Sequence, residues 1–182
     1  MKAGHFAAIA LSLALGFNAQ AATPSPVSAA KPALQASAID HVGINVPDID
    51  TAVSFFNELV GAKIISDSRP GAIPPEWKAN FNWRQSSDLQ RFVMLQLEGG
   101  SKIELFQYTG KQINHQQPHE DDIGATHMAL RTNDIDHSLA VVKSKGLKVL
   151  NEPITKPYGI RWFYALTPWG SQLEFVSLPL AG

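Results

Sequence analysis

Two histidines and two glutamates stand at matching places in two similar stretches of this chain. His41 opens HVGINVPDID, and His127, eighty-six positions later, opens HMALRTNDID. Glu104 lies in GSKIEL and Glu174 in GSQLEF, each a glycine turn running into a strand-like segment. Their sequence neighbours are apolar: Val42, Met128, Ile103 and Leu105, Leu173 and Phe175. Side chains alternate between the two faces of a strand, so all four polar groups fall on the face opposite their apolar neighbours. Two imidazoles and two carboxylates form a mixed nitrogen–oxygen donor set suited to a divalent metal ion: Zn, Ni, Co, Mn or Fe. Six-coordinate binding by four protein groups leaves two positions for water or substrate. The chain has no Cys, which excludes both thiolate ligation and disulfide staples.

The elements that must carry these groups repeat as well. From Ile39 to Val46 the apolar residues alternate, with His41, Gly43 and Asn45 on the other face. Pro47 ends the strand, Asp48 caps a helix through DIDTAVSFFNELV, and Gly61 stops it. AKIIS reads as the next strand. In the second half Thr126 to Thr132 is a strand, Asn133 or Asp134 caps the helix DIDHSLAVVKSKG, Gly146 ends it, and LKVL is the following strand. RFVMLQL and IRWFYAL supply the partners of two hairpins whose second strands carry Glu104 and Glu174. The expected fold class is therefore α+β: two paired βαβββ modules forming a curved mixed sheet with helices on the outside.

The halves differ in length. His41 precedes Glu104 by 63 positions, whereas His127 precedes Glu174 by 47, so the first half carries 16 more residues. They fall in SDSRPGAIPPEWKANFNWRQSSDLQ, where Pro75 and the pair Trp77 and Phe81 predict a short helix. Such an aromatic insertion is either a lid that touches substrate, through Trp77, or a satellite apolar cluster. Residues 1–21 have the form of a secretory signal peptide: Lys2, the apolar run Phe6 to Phe17, and Ala19-Gln20-Ala21 before a mature start at Ala22. Residues 22–38 read as a flexible Ala/Pro/Ser linker, and the domain spans 39–178, with module one at 39–110 and module two at 124–178. An exported protein with no membrane span after cleavage is expected. With net charge −1 and pI near 6.6, nothing suggests nucleic acid as a partner. His115 and His119 lie in the polar connector NHQQPHEDD, and His137 follows the second helix cap; all three are expected outside the site.

The chain resembles the vicinal oxygen chelate superfamily, which joins glyoxalase I, bleomycin resistance proteins and extradiol dioxygenases. DHVGINVPDIDTAVSFFNELVGAKII is similar to the family's first βα unit, and SKIELFQY to the strand that presents the first metal Glu in glyoxalase I. GATHMALRTNDID looks like the strand of the second His, and TPWGSQLEFV like the closing turn and second Glu. The resemblance covers about residues 39–178, is closest in kind to glyoxalase I members, and implies a metal quartet of His41, Glu104, His127 and Glu174.

That resemblance implies lyase or isomerase chemistry on a small molecule with two adjacent oxygens. A metal-site carboxylate moves the proton, Glu174 as the first candidate base and Glu104 as the second. Arg131, Arg161, Arg84 and Lys156 are candidate grips for an anionic substrate, Arg131 foremost because it shares the parity of His127. Two other classes stand beside this reading. An Fe(II) extradiol-type dioxygenase would use His41, His127 and Glu174 and leave Glu104 aside; a non-catalytic small-molecule binding protein would need none of the four. In the superfamily the site closes either within one chain or across a homodimer, and the sequence leaves both arrangements open.

Overall fold

The computed structural model describes Leu34 and residues 36–179. The signal peptide read at 1–21, and the linker apart from Leu34 and residues 36–38, lie outside the described residues. From Ala38 onward the described residues form one compact unit.

Module one runs β1 (Val42–Asn45), α1 (Ile49–Val60), β2 (Lys63–Ser68), α2 (Pro75–Asn80), β3 (Asp88–Gln96) and β4 (Lys102–Thr109). Module two runs β5 (Met128–Arg131), α3 (Ile135–Ser144), β6 (Ile154–Thr155), β7 (Arg161–Leu166) and β8 (Gln172–Ser177). Each makes a four-stranded sheet, in the orders β1-β4-β3-β2 and β5-β8-β7-β6. The first strand of each module pairs parallel with the last, and the remaining pairs are antiparallel. The expected α+β pair of βαβββ modules is thus the observed fold.

The repeated Asp-Ile-Asp explains how each helix is fixed to its sheet. Asp48 accepts the Thr51 N–H at 2.7 Å and Asp134 the His137 N–H at 2.9 Å, each capping a helix start. This settles the second cap on Asp134. Ile49 and Ile135 are buried beneath their helices. Asp50 accepts from Arg91 on β3 at 2.7 Å, and Asp136 accepts two bonds from Arg161 on β7 at 2.6 and 2.9 Å. Cap, core residue and clamp recur in order, so the echo in the sequence is a duplicated anchoring device.

Three details depart from expectation. LKVL does not form a strand: Val149 makes a single bridge to Ala165, and the edge strand is instead the two-residue β6. His41 and His127 sit one residue before β1 and β5 rather than inside them. The two sheets also stay separate, and α1 does not lie wholly on the outside. Phe55, Leu59 and Val60 of α1 pack against the core of module two, while Met128 and Trp169 of module two pack against the core of module one. The cause is a second apolar stripe on α1 that its own sheet cannot cover.

Candidate metal centre

The face of sheet one opposite α1 carries Glu104, Phe106 and Tyr108 on alternate positions of β4, while Ile103 and Leu105 are buried against the helix. Glu104 lies beside Gly43 in the parallel register, and its Oε2 is 3.1 Å from Nε2 of His41. Module two repeats this: Glu174 lies beside Ala129, and its Oε2 is 3.3 Å from Nε2 of His127. The carboxylates are mostly covered and the imidazoles more open, with side-chain exposures of 17% and 18% against 38% and 33%.

Each imidazole is oriented from behind. Nδ1 of His41 is 2.8 Å from Asp40 Oδ1, and Nδ1 of His127 is 2.7 Å from Glu120 Oε1. A carboxylate only accepts, so Nδ1–H donates in both cases and Nε2 is the atom turned toward the glutamate. In a neutral imidazole Nε2 then presents a lone pair to a carboxylate oxygen. Two electron-rich atoms at this separation require a positive charge between or upon them, either a proton or a metal cation. A carboxylate behind a ligating histidine is also the usual support of a metal site. Each pair therefore offers one nitrogen and one oxygen donor to a divalent cation. Asp40 is held further by Lys102 at 2.7 Å, and its carboxyl is held below the usual range by His41 first and Lys102 second. Burial pushes both Tyr108 and Tyr164 up, with Glu104 and Glu174 respectively adding to the effect, so both phenols remain protonated donors.

The structure does not gather all four expected ligands within one chain. Among the described residues no group of three or more His, Asp or Glu side chains is placed to hold one metal ion. The physical reason is the sheet order. Among the described residues β1 and β5, the strands behind the two histidines, are each paired on one side only. Each half-site thus ends at an open sheet edge.

The other predicted residues are placed as follows. Arg161 does not reach either pair, because it shares the parity of the buried Phe163 and its guanidinium is held by Asp136. Arg131 is exposed at the end of β5. Lys156 lies over Trp162, 5.5 Å from the ring centroid. Trp77 lies on α2, 54% exposed, edge-on to Phe81. Arg84 lines a cavity with Trp83, Tyr108 and Asn45. The supporting carboxylates Asp40 and Glu120 were not singled out in the sequence. Asp40 could have been, since it adjoins His41; Glu120 sits in a polar connector with no periodicity to point at it.

These features define an α+β domain of duplicated modules, each offering a His–Glu pair. The chain belongs to the Glyoxalase/Bleomycin resistance protein/Dioxygenase superfamily, which it matches over residues 38–175. It is 34% identical over 149 residues to a 2-epi-5-epi-valiolone epimerase of Actinomyces, covering 79% of this chain and 81% of that protein. An uncharacterised Bacillus subtilis protein is 29% identical, with 77% of this chain and 97% of that protein covered. Among solved structures, a glyoxalase family protein from Bacillus cereus has a TM-score of 0.65 at 20% identity, covering 81% of this chain and 98% of its own. That likeness shows the fold.

Proposed function

We propose that this chain is an exported, divalent-metal-dependent isomerase or lyase. It acts by proton transfer beside a carbonyl on a small molecule with two adjacent oxygens. The observation that carries this reading is the duplicated carboxylate–His–Glu arrangement, Asp40–His41–Glu104 and Glu120–His127–Glu174. The epimerase name of the 34% identical relative supports the isomerase class. We further propose that two copies complete the site, the β1 edge of one beside the β5 edge of the other, so that each site draws one His–Glu pair from each chain.

A bound divalent cation would supply Lewis acidity, stabilising negative charge on the substrate's oxygens as the proton departs. The chain's own residues do the rest. Asp40 and Glu120 hold the imidazoles in the tautomer that leaves Nε2 free. Glu174 accepts the C–H proton on one carboxylate oxygen and returns it, with Glu104 as the second candidate. Tyr164, cross-strand from Glu174, offers a protonated phenol beside it.

A mixing experiment tests both parts. His41→Ala/Glu104→Gln chains and His127→Ala/Glu174→Gln chains are each expected to bind no metal beyond background. If sites are shared across a dimer, an equilibrated equal mixture regains about one quarter of the wild-type metal content, because half the dimers are mixed and each holds one intact site. Elemental analysis after gel filtration reads this directly. A wild-type protein that takes up none of Zn²⁺, Ni²⁺, Co²⁺, Mn²⁺ or anaerobic Fe²⁺ would sink the metal enzyme altogether. Catechol-dependent oxygen uptake by Fe²⁺-loaded Glu104→Gln protein would replace it with the dioxygenase.

A further inference from the structure

The insertion in module one ends on the same sheet face as Glu104. Trp77, Phe81, Trp83, Tyr108, Phe106 and Phe92 form one unbroken series of ring contacts. Centroid separations are 5.7, 5.9, 5.2, 6.1 and 6.1 Å in that order. Phe106 stacks nearly parallel to both Tyr108 and Phe92, at 22° and 26°. Because Glu104 and Phe106 are alternate residues of β4, the ring lies about 7 Å along the strand from the carboxylate. Gly43 lets that ring lie close against β1: a Cβ there would stand 3.2 Å from Phe106 Cε2 and push the ring from its seat. Beyond Phe106, an open cavity of about 490 Å³ is walled by Trp83 and Tyr108, with Asn45 and Arg84 among its polar lining.

A satellite core would hide its rings. Here Trp77 and Phe81 are 54% and 59% exposed, and Phe92 and Phe106 are half-buried. Module two has no counterpart of the insertion, although it keeps the His–Glu pair. The insertion's own rings, Trp77, Phe81 and Trp83, are therefore not needed to build a βαβββ module. Phe92, Phe106 and Tyr108 lie nearly parallel and form a flat apolar floor at one end of one half-site, with Trp83 standing edge-on to Tyr108 at 80° as a wall.

We propose that this floor selects the substrate: a compound bearing a planar aromatic ring attached directly, or through one carbon, to its two adjacent oxygens. The oxygens lie at the His41–Glu104 end and the ring lies over Phe106, whose seat against β1 is set by Gly43. Asn82, Trp83, Arg84 and Ser87 line the cavity beside that floor, and Phe106 and Gly43 are the specificity-determining positions. The location of the reacting end rests on the proton-transfer reading above; the ring-binding floor stands on the geometry alone.

The test compares 2-hydroxyacetophenone with hydroxyacetone, which share the carbonyl and adjacent hydroxyl but differ by the ring. Metal-loaded mature protein in D₂O exchanges the carbon-bound proton: the C–H bond breaks, the carboxylate takes the proton, and deuterium returns to the same carbon. The expected KM is about tenfold or more lower for the aryl ketone. In Gly43→Val and Phe106→Leu the ratio of the two KM values moves toward one, while Glu152→Gln, on a distant surface pair, leaves it unchanged. Equal KM values in the wild type, or a preference that survives both substitutions, overturn the proposal. If neither ketone exchanges, the proton-transfer reading fails, and saturation-transfer NMR decides this one separately. Saturation of the aryl protons by wild-type protein, weakened in Gly43→Val of unchanged melting temperature, sustains the floor; no saturation overturns it.

Discussion

At the scale of single residues, the arrangement behind each histidine matters as much as the ligand in front. Asp40 and Glu120 fix Nδ1–H, and so decide which nitrogen faces the glutamate. Removing that support leaves the ligand in place but frees its ring to rotate. Asp40→Asn and Glu120→Gln are each expected to weaken metal affinity about 10- to 100-fold without unfolding the protein. Titration against a chelator of known affinity measures this, and unchanged affinity in both would mean that the carboxylates are incidental neighbours. The four candidate ligands were legible from their repeat-related positions and parity alone. Where Arg161 would point was not legible, because parity cannot be read across an unknown strand start. With Arg161 opening β7, its side chain turns to the helix face and meets Asp136.

The elements show which parts of the fold local chemistry can specify. α1 and α3 were legible because cap, apolar period and terminal glycine agree, and α2 because Pro75 starts it. LKVL was misread: its alternation suits a strand, but tertiary pairing gives the edge to Ile154–Thr155 instead. The clamps between helix and sheet also carry a pH signature. The Arg161 guanidinium holds the Asp136 carboxyl below its ordinary value, and within sheet one Arg91 of β3 does the same for Asp67 of β2. A carboxyl depressed in the folded state contributes stability that is fully present above about pH 4 and lost as pH falls through the lower folded value. Arg161→Met is therefore expected to lower the melting temperature at pH 6 and to flatten its fall below pH 4. Thermal melts across that range check the sign; parallel wild-type and variant profiles would remove Asp136 from the account. Truncating the buried residue between the two aspartates should cost far more, about 2–5 kcal/mol for Ile135→Ala, read from urea unfolding.

The whole molecule turns on how two modules meet, and here the sequence was least informative. Repeats reveal that two βαβββ units exist, but not which of their faces are joined. The deciding feature is the second stripe of α1, Phe55 with Leu59 and Val60, which seats module one against module two by its helix side. With that packing the β1 and β5 edges do not pair with each other, and among the described residues each has a strand on one side only. Val42 on β1 is an exposed apolar residue at such an edge, and in a monomer nothing would compensate its exposure. In the proposed dimer a second copy would supply both partners at once: strand for strand, and His–Glu pair for His–Glu pair. Val42→Lys places a charge where that pairing forms, the device by which sheet edges are kept apart. It is expected to convert the dimer to monomer in sedimentation and to reduce bound metal sharply. Its far-UV circular dichroism should match the wild type, since Val42 is not part of the buried core. The two readouts must move together, because the proposed ligand set exists only in the assembled pair. A monomeric Val42→Lys protein that keeps its full metal content would show that one chain holds the ion by itself and that the shared site is wrong.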